Sequence, residues 1–251
     1  MAEAVWPEGL GRQVLDTVDS TNAHALRMAP ELRGPMWFLG LTQTAGRGRR
    51  ARPWVSPRGN FYGTLLLHPQ ERPEKVALRS FAAALALRDA FVALTGLPDS
   101  FRLKWPNDVL LNGAKMAGIL LESSGAAGRV EHLAIGIGVN LIAHPDPSLI
   151  EPGAVPAVSL LSETGLRITP EAFLDALAPA YARREAQLQS GGFAPLRADW
   201  LAHAARLGEP IRARTGQTTR EGIFETIDEQ GNLILSTARG REAIPAAEIF
   251  F

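Results

Sequence analysis

The chain has no cysteine among its 251 residues. Structural disulfides, thiolate metal sites and any mechanism that passes through a cysteine thioester are therefore excluded. It also lacks net charge, because 26 lysines and arginines balance 26 aspartates and glutamates. No global positive field draws it to nucleic acid or to an anionic membrane, so neither is expected as a partner. No stretch offers 18 uninterrupted apolar residues, and the start MAEAVWPEGLGRQ has no charged flank followed by an apolar run. The five histidines, at 24, 68, 132, 144 and 203, have no ligand-like spacing, which leaves zinc and a histidine-based triad without support. Neither G-x-S-x-G nor G-x-x-x-x-G-K-[ST] occurs. What remains is a soluble, untargeted protein suited to a reducing cytoplasm, long enough for one large domain or a domain of about 200 residues with a small appendage.

Apolar patterning indicates an α+β protein. RQVLDTVDSTNAHALRMA reads as a short strand feeding a helix, with Ser20 or Thr21 as its N-cap. PMWFLGLTQTAG and FYGTLLLHP are strand-length apolar runs closed by turn signals. PEKVALRSFAAALALRDAFVALTG is expected to be the longest helix, opened by Pro73, stopped by Gly96 and buried against a sheet. FRLKWPNDVLL, KMAGILLES and RVEHLAIGIGVNLIA are strand-like, and the turn-sized NGA and SGAAG between them imply hairpins and largely antiparallel pairing. TPEAFLDALAPAYARREAQLQSGG and FAPLRADWLAHAA look helical, with Pro179 expected to kink or divide the first. After Leu207 come short alternating segments broken by TGQ, EQGN and ARG, the pattern of a small β-barrel or sandwich. The boundary falls near residue 205, giving domains 1–204 and 205–251.

Two constellations stand out. In TAGRGRRARPWVSP, Arg47, Arg49, Arg50 and Arg52 crowd together. GRGRRA fits the letters of a dinucleotide fingerprint, but Pro53 and Pro57 leave no helix to receive a pyrophosphate. A solvated basic loop, a nucleic-acid patch and an irregular phosphate loop stay open. The alternating glycines and the adjacent Trp54, a face for a nucleobase, favour the last. In KWPNDVLLNGAKMAGILLES, Pro106 keeps Trp105 extended. Asn107 and Asp108 are either a hairpin cap or a pair that orders magnesium or phosphate. Lys115 opens an apolar strand, so it either snorkels to solvent or is a buried cation awaiting an anion.

VDSTN, QTAGRGRRARPW, KWPNDVLLNGAKMAGILLES and GIGVN, spread over residues 18 to 140, together resemble the biotin protein ligases, the biotin–[acetyl-CoA-carboxylase] ligase family. The last 45 residues resemble that family's small SH3-like barrel. The resemblance implies a class II synthetase-like catalytic domain, with biotin and ATP giving biotinyl-5′-adenylate and the biotinyl group passing to one lysine of a biotin carboxyl carrier protein. By the same resemblance, Ser20, Thr21, Asn22 and Gln43 would contact biotin, and Gly46, Arg47, Gly48 and Arg49 would form a loop over biotin and adenylate. Lys115 would hold the biotin carboxylate and then the adenylate phosphate, with Arg49 retaining the intermediate. Trp54 would stack near adenine, Asn140 would lie by the adenylate, and Asp108 would contact Mg2+. Departures from the family pattern are Ala51 in place of glycine, Ala114 in place of a basic residue, and an ending, AAEIFF, without a late arginine. Fewer than about 15 residues precede the first strand, too few for a helix-turn-helix, so a ligase without repressor function is expected, as monomer or homodimer. A lipoate or octanoate ligase of the same fold is the alternative, and a nucleic-acid-binding protein a distant third.

Overall fold

Period-2 alternation along the central strands gives one sheet two unlike faces, and that difference creates the site. The computed structural model describes residues 5–151 and 153–251, so the first four residues of the MAEAVWPEGLGRQ start lie outside it. In chain order the elements are β1 (Gly11–Leu15), α1 (Thr21–Met28), β2 (Met36–Gly40), β3 (Phe61–Leu67), α2 (Pro73–Ala77), α3 (Arg79–Thr95), β4 (Phe101–Lys104), β5 (Asp108–Leu111), β6 (Ala114–Ser124) and β7 (His132–Val139). Then follow α4 (Leu160–Thr164), α5 (Pro170–Gly191), α6 (Phe193–Ala202), β8 (Pro210–Thr215), β9 (Thr218–Ile227), β10 (Leu233–Thr237), β11 (Gly240–Ile244) and β12 (Glu248–Phe250).

The first sheet has the order β1-β2-β3-β7-β6-β5-β4, parallel only between β1 and β2. Leu39, Ile137 and Ile119 lie in register across its centre and belong to the main core, where the sheet packs under α3 and α5. One step along, Phe38, Thr64, Gly136 and Leu120 are in register on the opposite face. There α1 covers one end through Ala25, Ala29, Phe38, Leu66 and Ala134. The remainder of that face floors a cavity of about 850 Å³.

Several expectations need correction. The helical run from Pro73 is interrupted at Leu78, where Leu78 N–H donates to Lys75 O and Phe81 N–H to Leu78 O, i to i−3 contacts that tighten the chain. The longest helix is instead α5, which runs through Pro179 undivided, capped by the Thr169 hydroxyl. FRLKWPNDVLL is two strands, β4 and β5, joined by a tight turn with a cis Trp105–Pro106 bond. The C-terminal strands form an open antiparallel sheet, β11-β10-β9-β8-β12, rather than a closed barrel. Three-residue β12 spends its ladder on β8, and among the described residues none reaches β11. This sheet docks on the first through Trp105, whose indole N–H donates to Gly231 O at 3.1 Å.

Candidate active site

Lys115 owes its position to a bulge. Asp108 and Gly118 are partners on the cavity face, and Val109 and Ala117 are partners on the core face. Regular alternation would then send Met116 into the cavity and Lys115 into the core. The register slips between Val109 and Leu110, so Leu110 faces Lys115 and the two directions exchange. Met116 becomes fully buried among apolar side chains, and the Lys115 ammonium stands 2.7 Å from Asp108 Oδ1. Lys104, only 8% exposed, approaches Asp108 Oδ2 at 3.6 Å. Burial alone would push the Asp108 carboxyl up; Lys115 and Lys104 more than reverse this and hold it below the usual carboxylate range. Burial pulls Lys104 down despite that carboxylate, and it pulls down Arg49 too. Three cations thus crowd one anion, an excess of positive charge facing a partly closed cavity.

Trp54 lies against this group. Its ring crosses Gly118 and Gly138, where a β-carbon at Gly138 would stand 2.7 Å from the indole and one at Gly118 3.3 Å. Lys115 Nζ is 5.6 Å from the ring centroid, a cation–π distance. The buried indole N–H has no partner among the described residues.

At the other end of the cavity the contacts are neutral. Ser20 caps α1, accepting from Ala23 N–H, which sets Thr21 and Asn22, both buried, at the helix start against the cavity. Thr21 N–H donates to Gln43 Oε1 at 2.9 Å, and Gln43 Nε2 donates to Ser56 Oγ at 3.1 Å. Thr64, fully buried on β3, lies 2.8 Å from the Thr21 hydroxyl and 2.7 Å from Asn22 Oδ1. Asn22 Nδ2 donates to Leu120 O and to Glu122 Oε2. Gly136 makes room for that amide, since a β-carbon there would stand 2.3 Å from Asn22 Oδ1. The alternation in AIGIGV therefore separates two jobs, isoleucine and valine to the core and glycine to the cavity.

The arginine loop spans the two ends, and its arginines are matched internally. Arg47 forks onto Glu122, with Nη2 at 3.0 Å from Oε1. Arg49 Nη1 donates to Asn107 Oδ1 and to Ala247 O, both at 3.4 Å. Arg50 and Arg52 pair with Glu248 on β12, which also takes Arg214 from β8, while Glu151 pairs with Arg52 and Arg214. A loop so neutralised is a poor nucleic-acid patch. Arg50 and Ala51 have φ near +57° and +56°, in the left-handed region, which costs a residue bearing a β-carbon roughly 1–2 kcal/mol. This gives a reason for glycine where the chain has Ala51. Of the loop glycines, Gly46 is crowded by Ser56 and Trp54, whereas a β-carbon at Gly48 meets nothing nearer than 3.9 Å.

Every site residue named from the sequence lines or borders this one cavity. Two have duties that the sequence reading did not foresee. Asn140 spends its amide on Val158 O, and its N–H on Met116 O, fastening the ends of β6 and β7. Asn107 ties its turn to β6, its carbonyl accepting from Ile119 N–H and its side-chain amide donating to Ile119 O. Missed were Lys104, Thr64, Glu122, Glu248 and the three cavity glycines. The glycine alternation was a usable signal; the acids and Thr64 carry none in the sequence.

A neutral hydrogen-bonding end and a cationic end, on a mostly antiparallel sheet with a C-terminal sheet against it, define the class as a biotin or lipoate ligase fold. Residues 14–140 match the Biotin/lipoate A/B protein ligase family, and residues 207–251 match the Biotin protein ligase C terminal domain. The chain is 58% identical over 238 residues to the Biotin--[acetyl-CoA-carboxylase] ligase of Paracoccus denitrificans, covering 95% of this chain and 99% of that one. It is 34% identical to the Bifunctional ligase/repressor BirA of Bacillus spizizenii, across 96% of this chain and 75% of the relative. Among solved structures, the biotin protein ligase from Aquifex aeolicus in complex with biotin and ATP superposes with a TM-score of 0.80 at 26% identity, covering 95% of this chain and 97% of that one. The chain belongs to the biotin protein ligase family.

Proposed function

We propose that this chain joins biotin to ATP, releasing pyrophosphate, and passes the biotinyl group from the adenylate to a lysine of the biotin carboxyl carrier protein of acetyl-CoA carboxylase. The observation that carries this reading is Lys115, turned by the bulge to stand beside Asp108 in a cavity whose far end is built of hydroxyls and amides. In the first step a biotin carboxylate oxygen attacks the α-phosphorus and the bond to the β-phosphate breaks. Two anions must meet, so fixed cations where charge accumulates lower the barrier. Lys115 and Arg49 flank that point, with Lys104 behind them. In the second step the carrier amine attacks the acyl carbon, AMP departs and the amine loses a proton. Arg49 retains the adenylate until then, Trp54 and Asn140 border the nucleotide, and Gly46, Arg47 and Gly48 complete the cover.

The donor set is a poor match for a resident magnesium ion. Asp108 is committed to two lysines, and among the described residues no three histidine, aspartate or glutamate side chains gather. Magnesium fits this reading as the ion bound to the phosphates of ATP, with Asp108 left as partner of the lysines. The division at residues 204 and 205 separates the catalytic unit from the sheet that supplies Glu248. Among the described residues no helix is long and apolar enough to cross a membrane, in keeping with a cytoplasmic enzyme. Biotin is favoured over lipoate because a dithiolane ring offers nothing to Ser20, Thr21 and Gln43. Pyrophosphate exchange into ATP tests the reading: biotin should drive it and lipoate should not, and exchange with lipoate alone would overturn it.

A further inference from the structure

Arg49 borders two cavities. Besides the main one it lines a second, of about 290 Å³, and the two also share Pro106, Asn107, Ile119 and Leu120, so they meet beside the cationic end. The second cavity is walled by Val76, Leu121, Val130 and Leu133, and among the described residues that line it Arg49 is the one ionisable group. Arg72, Glu74, Lys75, Arg129 and Glu131 neighbour wall residues in the chain but do not line it, and Glu122 is paired with Arg47. Arg49 itself bonds to neutral groups, Asn107 Oδ1 and Ala247 O, and forms no ion pair among the described residues. Once an adenylate has formed and pyrophosphate has left, Lys104, Lys115 and Arg49 face Asp108 and one phosphate, three positive charges against two negative. An ammonium arriving there loses water along apolar walls and meets like charge, and both effects favour its neutral form. Lys104 shows the direction on a resident group: burial first, then Lys115 and Arg49, hold it below the ordinary lysine value in spite of Asp108.

We propose that the second cavity is the port for the carrier lysine, and that its apolar walls and the surplus charge of Arg49 and Lys104 remove a proton from the arriving ammonium, so that it meets the adenylate as a free amine. This rests on the biotin reading above and extends it to the second step. The ammonium gives one proton to solvent at the port. The amine then attacks the acyl carbon and a C–N bond forms. The bond from that carbon to the phosphate oxygen breaks, AMP leaves with the electron pair, and the second proton follows to solvent. While pyrophosphate is still bound its charge matches the surplus, so activation waits for its departure.

The test measures the second step alone. Full-length protein loaded with synthetic biotinyl-5′-adenylate is mixed with carrier, and single-turnover transfer is followed from about pH 6 to about pH 9.5, with free adenylate plus carrier as the reference for the lysine's own ionisation. Transfer from bound adenylate should level off at least about one pH unit lower than the reference. Lys104→Met should slow transfer about tenfold at pH 7 and hardly at the alkaline end, because it removes charge while keeping bulk. Ser123→Asp, at an exposed wall position, should slow transfer about threefold at pH 7, and Ser123→Asn should not. A bound rate that follows the reference with pH, or a Lys104→Met loss of the same factor at both ends of the range, would overturn the activation. Equal slowing by Ser123→Asp and Ser123→Asn would overturn the port. Wild-type protein that transfers nothing from the adenylate at any pH would remove the biotin reading itself, a different result from transfer with an unshifted profile.

Discussion

At one end of the cavity, neutral side chains on α1, β3 and β6 pass hydrogen bonds along a line from Gln43 to Glu122. At the other, Lys104, Lys115 and Arg49 surround a single carboxylate. The neutral end is satisfied and shaped, so it suits selection of a ligand by donor and acceptor pattern. The cationic end is unbalanced, so it suits a reaction in which anions are brought together. Substitutions at the two ends should therefore fail differently, one in substrate affinity and the other in chemistry.

The largest expected effect is at Lys115. Lys115→Ala should lower biotin-dependent pyrophosphate exchange at least about a hundredfold, the scale of removing one fixed group that meets developing charge. Its circular dichroism should stay that of the wild type, because the residue is about one-third exposed. Next is Asp108→Asn, which leaves the buried Lys104 and the partly exposed Lys115 without their anion and should cost about 3 kcal/mol of stability at neutral pH, read by urea unfolding. The sign of its pH dependence follows from the depressed carboxyl of Asp108. Its contribution is complete above the unfolded value of about 3.9 and is lost as pH falls through the lower folded value. The gap between wild type and variant should thus hold constant from pH 7 to about pH 4 and close only below that. A gap that closes above pH 5 would mean Asp108 is not held by the lysines.

Smaller effects should separate the two ends. Gly136→Ala drives a methyl into Asn22 and should raise the KM for biotin about tenfold with little change for ATP, whereas Gly138→Ala displaces Trp54 and should act mainly on ATP. Steady-state kinetics distinguishes them, and identical profiles would remove the distinction. The least expected change is from Glu248→Gln. It loosens Arg50 and Arg52, ion pairs that are partly exposed and worth little each, so kcat/KM should fall by no more than about threefold. Hydrogen exchange at residues 49–52 should nevertheless quicken, and unchanged exchange would show that the C-terminal sheet does not hold the loop.

How much of this was legible in the sequence depends on the kind of interaction. Lys115 drew attention because a cation opening an apolar strand breaks the local pattern, and the structure supplies the anion, Asp108, seven residues earlier. The strands of the main sheet were readable because alternation and short turns are local signals. The bulge was not, because it depends on how β5 and β6 align. Glu122 looked like an ordinary polar residue at a strand end, and Thr64 like one hydroxyl in an apolar strand. Their meaning appears only when α1, β3 and β6 come together. Glu248 reaches the arginine loop from almost two hundred residues away, so Arg50 and Arg52 had no readable partner. The helix from Pro73 was over-extended because alanine and leucine propensity does not register the tight contacts at Leu78.

The division of labour is tested most directly by one single-turnover measurement, in which the biotinyl-adenylate formed is separated into enzyme-bound and released fractions. Lys115→Ala should form almost none. Arg49→Gly should form a substantial amount and release it early, biotinylating bystander lysines. If both variants lose formation equally, or if the adenylate made by Arg49→Gly stays bound and labels only the carrier, the separation between a charge-stabilising lysine and a retaining arginine loop is wrong.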